Sequence, residues 1–145
     1  MSGLQLHVVG VPTTQGSMKG FVIGGRAVVK NSNQQRLAPW REAIRNTAVN
    51  AMEPEFMQFV GPVHVSLIFA LPRPASAPKR RRTWPIGSRS GDLDKLSRAV
   101  LDGLTDAGVW RDDSQVVRLV ASKDYPGPET QQSTPGVIVR IVETP

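Results

Sequence analysis

Residues 61–71 constrain the fold more than any other stretch of the chain. Gly61-Pro62 is followed by Val63, Val65, Leu67, Phe69 and Leu71, alternating with His64, Ser66, Ile68 and Ala70. A period of two puts the first set on one face of an extended chain, so a long strand is expected here. Leu4, Leu6 and Val8 alternate with Gln5 and His7 in the same way and stop at Gly10-Val11-Pro12. Phe21-Val22-Ile23 and Ala27-Val28-Val29 flank Gly24-Gly25, which reads as a hairpin because glycine tolerates the positive φ of a tight turn.

Two segments carry a helical period instead. Leu37, Trp40, Ile44, Ala48 and Ala51 recur at three- and four-residue spacing, with Arg41, Glu42, Arg45 and Asn46 opposite. Pro39 suits the first turn of this helix, where a missing N–H is harmless. From Asp92 to Ala107, Leu93, Leu96, Val100, Leu104 and Ala107 form a second apolar stripe, and Gly108 is its stop. Val116–Ser122 and Val137–Val142 read as strands, separated by a Pro/Gly/Gln/Ser/Thr loop over Tyr125–Pro135. The order is β-ββ-α-β-α-β-β, an α+β fold with a mixed β-sheet and two main helices packed on it. Its 145 residues contain no repeat and no dividing linker, so residues 1–145 are expected to form a single domain.

Residues 72–91 fit no element: they hold four prolines, two glycines and six basic residues. A loop of that length inside a compact domain is generally functional or disordered. It is also part of an uneven charge distribution. The net charge is +6 and the isoelectric point is near 10.5, which raises the expectation of nucleic acid as a partner. No acid precedes Glu42 and none lies between Glu55 and Asp92, whereas six of the twelve acids fall between Asp92 and Asp113. Such a chain reads either as a polyanion binder with a cation site or as an acidic helix salt-bridged to basic neighbours.

There are no cysteines, which excludes disulfide scaffolds, thiol catalysis and Cys-ligated zinc. No apolar run approaches the ~20 residues that span a bilayer. The start of the chain lacks a basic segment followed by an apolar one, so a cytoplasmic protein without membrane contact is expected. Gly16 and Gly24-Gly25 form no phosphate-cradling motif, so no nucleotide cofactor is expected.

Asp92-Leu93-Asp94 stands at the mouth of the second helix. Aspartate is favoured there as a cap and by the positive dipole end, which is sufficient for one acid and less so for two. Arg98 lies at i+4 from Asp94, a spacing that supports an ion pair. Asp112 and Asp113 open the next strand. Carboxylate-rich, histidine-poor ligation favours a hard cation such as Mg²⁺. Beside DNA such an ion would activate water and stabilise the charge that develops in phosphodiester cleavage. Sequence spacing alone leaves open whether Asp113 reaches Asp92 and Asp94.

The run Gly91-Asp92-Leu93-Asp94-Lys95-Leu96-Ser97-Arg98, continuing through Asp102-Gly103-Leu104-Thr105 to Asp112-Asp113-Ser114-Gln115-Val116, resembles the RusA-type Holliday junction resolvases. The motif covers about a fifth of the chain. The resemblance implies a homodimeric endodeoxyribonuclease that resolves four-way DNA junctions by paired symmetric nicks, in recombination and repair. It implies Mg²⁺, with Mn²⁺ as a substitute, held by Asp92, Asp94 and Asp113 with Asp112 in support. It also implies that the fold or the dimer brings Asp113 to the other two. Arg98 takes the place of the family's usual lysine; it can neutralise phosphate charge but cannot shuttle a proton. Lys95 stands where asparagine is common and shares that duty.

Lys79, Arg80, Arg81 and Arg82 are expected to grip backbone phosphates, while Trp84 either stacks on an unpaired base or folds onto the domain. Lys19, Arg26 and Lys30 form a second basic patch near the hairpin, while Trp40 and Trp110 belong to the core. Strands 63–71 and 137–142 are candidate dimer edges. Two rival readings remain at this point: a catalytically silent junction-binding protein, and an unrelated basic adaptor.

Overall fold

The computed structural model describes residues 3–16, 18–31 and 34–145, with the side chains of 18–23, 27–31 and 34 outside the description. Strands β1 (Gly3–Val9), β2 (Met18–Ile23) and β3 (Arg26–Asn31) precede helix α1 (Gln34–Ala51). Then come β4 (Val63–Ala70), α2 (Leu93–Ala107), β5 (Val116–Asp124) and β6 (Gly136–Glu143), with single 3-10 turns at Ser88–Ser90 and Asp113–Gln115. The α+β order expected from periodicity is the one found.

Strands β1, β6, β4 and β5 lie side by side in that order, while β2 and β3 form a separate ribbon turning at Gly24-Gly25. Both glycines have positive φ, 57° and 80°, as the two-residue turn demands. Within the main sheet β4 pairs antiparallel with β6 and parallel with β5. Parallel neighbours require a crossover, and residues 71–115 with α2 supply it. The strands 63–71 and 137–142 were expected as dimer edges, but β4 and β6 are the interior strands of the sheet. The free edges are β1 and β5, because strand order is a long-range property that alternation does not encode.

Both helices cover one face of the sheet. Leu37, Trp40, Ile44 and Ala48 of α1 and Leu96, Ala99, Val100 and Leu104 of α2 are buried against Val63, Val65, Leu67 and Phe69 of β4. Leu6, Val8, Val137, Val139 and Ile141 complete the same cluster. Each fully buried side chain of this size contributes about 1.5–3 kcal/mol against exposure. The helices meet at Gly103, where an added Cβ would lie 2.7 Å from Ile44 Cγ2, and Arg41 bonds Asp106 across the pair at 2.5 Å. Trp40 and Trp110 are core residues, as expected. Pro39 is not in the first turn: α1 begins at Gln34 and contains the proline in its interior. The missing N–H leaves one carbonyl of the exposed turn before it to solvent, a modest cost so close to the helix start. Among the described residues no helix is long and apolar enough to cross a membrane.

Candidate active site

The β4–α2–β5 crossover sets the N-terminus of α2 beside the carboxyl ends of two parallel strands, the usual place for a ligand in such units. Three hydrogen bonds hold that corner together. The Leu71 N–H donates to the Asp124 carbonyl at 2.8 Å, and Lys123 Nζ donates to the Gly91 carbonyl at 2.7 Å and to Ser90 Oγ at 3.0 Å.

Asp92 is the N-cap residue of α2 in extended conformation, yet its side chain makes no capping hydrogen bond. Its carboxylate is 71% exposed and lies 3.5 Å from Lys95 Nζ. Capping therefore does not account for this acid. Asp94 is exposed in the first turn, where the helix dipole favours it. The ion pair that its spacing to Arg98 supports is not formed among the described residues; the charge of Arg98 is felt weakly at Asp113.

Residues 11–16 lie over the same helix. The Gln15 backbone N–H donates to the Lys95 carbonyl at 3.1 Å, and its side-chain amide donates to Asp102 Oδ2. A Cβ on Gly16 would stand 3.1 Å from Arg98 Nη1. Asp94, Arg98 and Asp102 are spaced four residues apart, so they share one helix face with a rise of about 6 Å between successive members.

The Asp-Asp-Ser-Gln turn has a division of labour that spacing does not reveal. Asp112 and Gln115 form a reciprocal capping box, and Ser114 Oγ donates to Asp112 Oδ2 at 2.9 Å. Hydrogen bonds from Ser114, its hydroxyl first, and then from Asp113 hold the Asp112 carboxyl below its ordinary range. Gln115 Nε2 also donates to the carbonyls of Phe59 and Gly61, which anchors the turn to the loop before β4. The frame presents Asp113. Burial pushes the Asp113 carboxyl upward, the charges of Asp112 and Asp102 push it further, and Arg98 opposes them.

Thus Asp113 shares its surroundings with Asp102, Asp112 and Arg98. Among the described residues no group of three histidine, cysteine or acidic side chains is arranged to hold a metal ion. The cause is topological: Asp92 and Asp94 open α2, whereas Asp113 follows the turn beyond its far end, at the start of β5.

In the 72–91 segment, Arg82 bonds the Asp124 carboxylate and stacks 4.2 Å from the Trp84 ring. Lys79, Arg80 and Arg81 are exposed and unpaired among the described residues, and Trp84 remains half exposed. Lys19 and Lys30 face one another in the β2–β3 register, but their side chains lie outside the described residues; Arg26 is exposed beside the turn. Three residues absent from the sequence-based site now belong to its surroundings. Asp102 had a readable signal, its helical phase with Asp94 and Arg98. Gln15 and Lys123 had none, because each arrives from a distant element.

Two exposed carboxylates at a helix end, an arginine on the helix face of Asp94 and a cationic loop in the same crossover suit a protein that handles nucleic-acid phosphodiesters. The endodeoxyribonuclease RusA family matches residues 12–142, and the chain belongs to that family. It is accordingly an endodeoxyribonuclease of the Holliday-junction-resolving kind, with branched DNA as the substrate that family membership implies and a divalent metal as its typical cofactor. No match was found among curated proteins.

Proposed function

We propose that residues 1–145 act as a single-domain, Mg²⁺-dependent and structure-selective endonuclease. A homodimer would resolve four-way junctions by paired symmetric nicks, in the cytoplasm of a bacterium or a phage-infected host. Asp92 carries this reading: the N-cap aspartate of α2 makes no capping hydrogen bond, and its largely exposed carboxylate has only the ammonium of Lys95 beside it among the described ion pairs.

The donor set suits a hard cation, since every candidate ligand is a carboxylate oxygen. Burial and two like charges leave Asp113 with negative charge that a cation would relieve. Asp92, Asp94 and Asp113 would hold the ion, with Asp112 framing Asp113; among the described residues the three do not form one metal-holding group. When bound, Mg²⁺ or Mn²⁺ supplies Lewis acidity and an activated water. Arg98 stays protonated, so its work is to bind a phosphate oxygen and not to relay a proton. Lys95, Lys79, Arg80 and Arg81 add phosphate contacts, Arg82 and Trp84 shape the loop that bears them, and Lys19, Arg26 and Lys30 extend the cationic surface. Two nicks related by symmetry require two sites, which a twofold dimer provides. The exposed Val117, Leu119 and Val120 on edge strand β5 are consistent with a covered edge.

The test is cleavage of an end-labelled four-way junction and a matched duplex, with Mg²⁺ or with EDTA. Paired nicks in the junction alone, dependent on the cation, are expected. Asp94→Asn should lower cleavage at least about a hundredfold and leave junction binding equal or tighter, because it removes a charge that repels phosphate. Unchanged cleavage by this variant would remove Asp94 from the site, and tight binding without nicks by the native chain would overturn the reading.

A further inference from the structure

A cavity of about 570 Å³ opens between the loop after β1, the start of α1 and the 72–91 segment. Its volume falls within the usual range for small-molecule sites, roughly 300–1,000 Å³. Arg36, Arg73 and Arg89 line it, together with Tyr125 and the Ser90-Gly91 link that leads directly into Asp92. Among the described residues no acidic side chain contributes to the wall. A basic lining of this kind suits an anion, and Pro12, Leu71, Pro72 and Pro85 give it apolar surface as well.

The aromatic part of the wall is preorganised. Tyr125 is 8% exposed, the Arg73 guanidinium lies 5.3 Å from its ring centroid, and Arg73 Nη2 donates to the Pro78 carbonyl at 2.5 Å. Arginine planes and aromatic rings are the two protein surfaces on which unpaired bases stack.

We infer that this cavity receives one unpaired nucleotide of the DNA, its base against the Arg73–Tyr125 pair and its phosphate near Arg89, next to the strand position presented to Asp92. The inference rests on the endonuclease reading for the identity of the ligand. At a branch point a nucleotide is already partly unstacked, so placing it in a side pocket costs less than extracting it from a duplex. Occupation of the pocket would set which phosphodiester lies at the carboxylates, and so would select the position of the nick.

Amide chemical shifts of the full chain, titrated with a deoxynucleoside 5′-monophosphate, test this directly. Shifts concentrated on Thr13, residues 87–91 and Tyr125 are expected. Arg73→Leu and Arg89→Ala, both at exposed positions, should each weaken the titration at least about tenfold, the size of one lost stacking or phosphate contact. Inorganic phosphate producing the same shifts with the same affinity would reduce the cavity to an anion site and overturn the base-binding claim. Shifts elsewhere, or insensitive to Arg73→Leu, would overturn it too. Junction cleavage by the same preparation reports on the endonuclease reading independently: nicking with an unresponsive cavity refutes only the pocket, and a responsive cavity without nicking refutes only the enzyme.

Discussion

Lys123, near the end of β5, donates from Nζ to the carbonyl of Gly91, the residue before Asp92, at 2.7 Å. The same ammonium bonds Ser90 Oγ, so the turn that delivers the chain into α2 is tied to the sheet by one side chain. Lys123→Met should let that turn shift and lower junction cleavage roughly tenfold or more, since small misplacements at a reacting centre are costly. Junction affinity should change less than turnover. Equal losses in both would identify Lys123 as a phosphate contact instead.

Asp113 should show a conflict between stability and activity. Burial and the neighbouring acids raise its proton affinity in the folded state, so its ionised form costs stability at neutral pH. That cost disappears as pH falls below the folded-state value. Asp113→Asn should therefore raise Tm at pH 7 by about 1–3 °C while lowering cleavage at least about a hundredfold. The Tm gain over the native chain should shrink as the pH is lowered, and a thermal scan at pH 7 and pH 4 checks it.

The Arg82–Asp124 pair predicts the opposite slope. The Arg82 guanidinium, and then the Tyr125 backbone N–H, hold the Asp124 carboxyl below its ordinary range against the effect of burial. A depressed carboxyl contributes stability above its unfolded value, about 4, and loses it as pH falls through the folded one. Asp124→Asn should lower Tm by roughly 1–3 °C near neutrality, and the difference from the native chain should close below about pH 4. A difference that persists in acid would show that the charge is not its source.

Gly91 adopts φ 86° and ψ 153°, a conformation open essentially to glycine alone, and a Cβ there would collide with Thr14 Cγ2. Gly91→Ala should cost about 1–3 kcal/mol in chemical denaturation and displace Asp92, so activity should fall further than the stability loss explains. Gly87→Ala, with open space around its Cβ position, is the control expected to leave stability in denaturation nearly unchanged.

The elements were legible because their causes are local. Alternation at Val63–Leu71 and the three-four spacing from Leu37 to Ala48 each follow from which side of one backbone faces water. Gly24-Gly25 and Gly108 announced a turn and a helix stop through the φ that only glycine accepts freely. The start of α1 lies upstream of the place that Pro39 suggests, because a proline's position within a helix depends on what precedes it. Strands 63–71 and 137–142, candidates for a covered edge, lie inside the sheet because apolar alternation signals burial, and interior strands are more buried than edges.

The site divides along the same line. By itself the sequence determined that two carboxylates open a helix, that an arginine follows one turn on, and that a cationic loop precedes them; these are matters of spacing along one segment. Only the tertiary structure decided that Asp92 withholds its carboxylate from the cap, that Asp112 is occupied in a turn while Asp113 feels the charge of Asp102, and that Lys123 braces Gly91. Each of those depends on which distant segment the sheet order brings alongside α2. Side-chain partners separated by dozens of residues are selected by the packing of the whole core, and no local pattern records them.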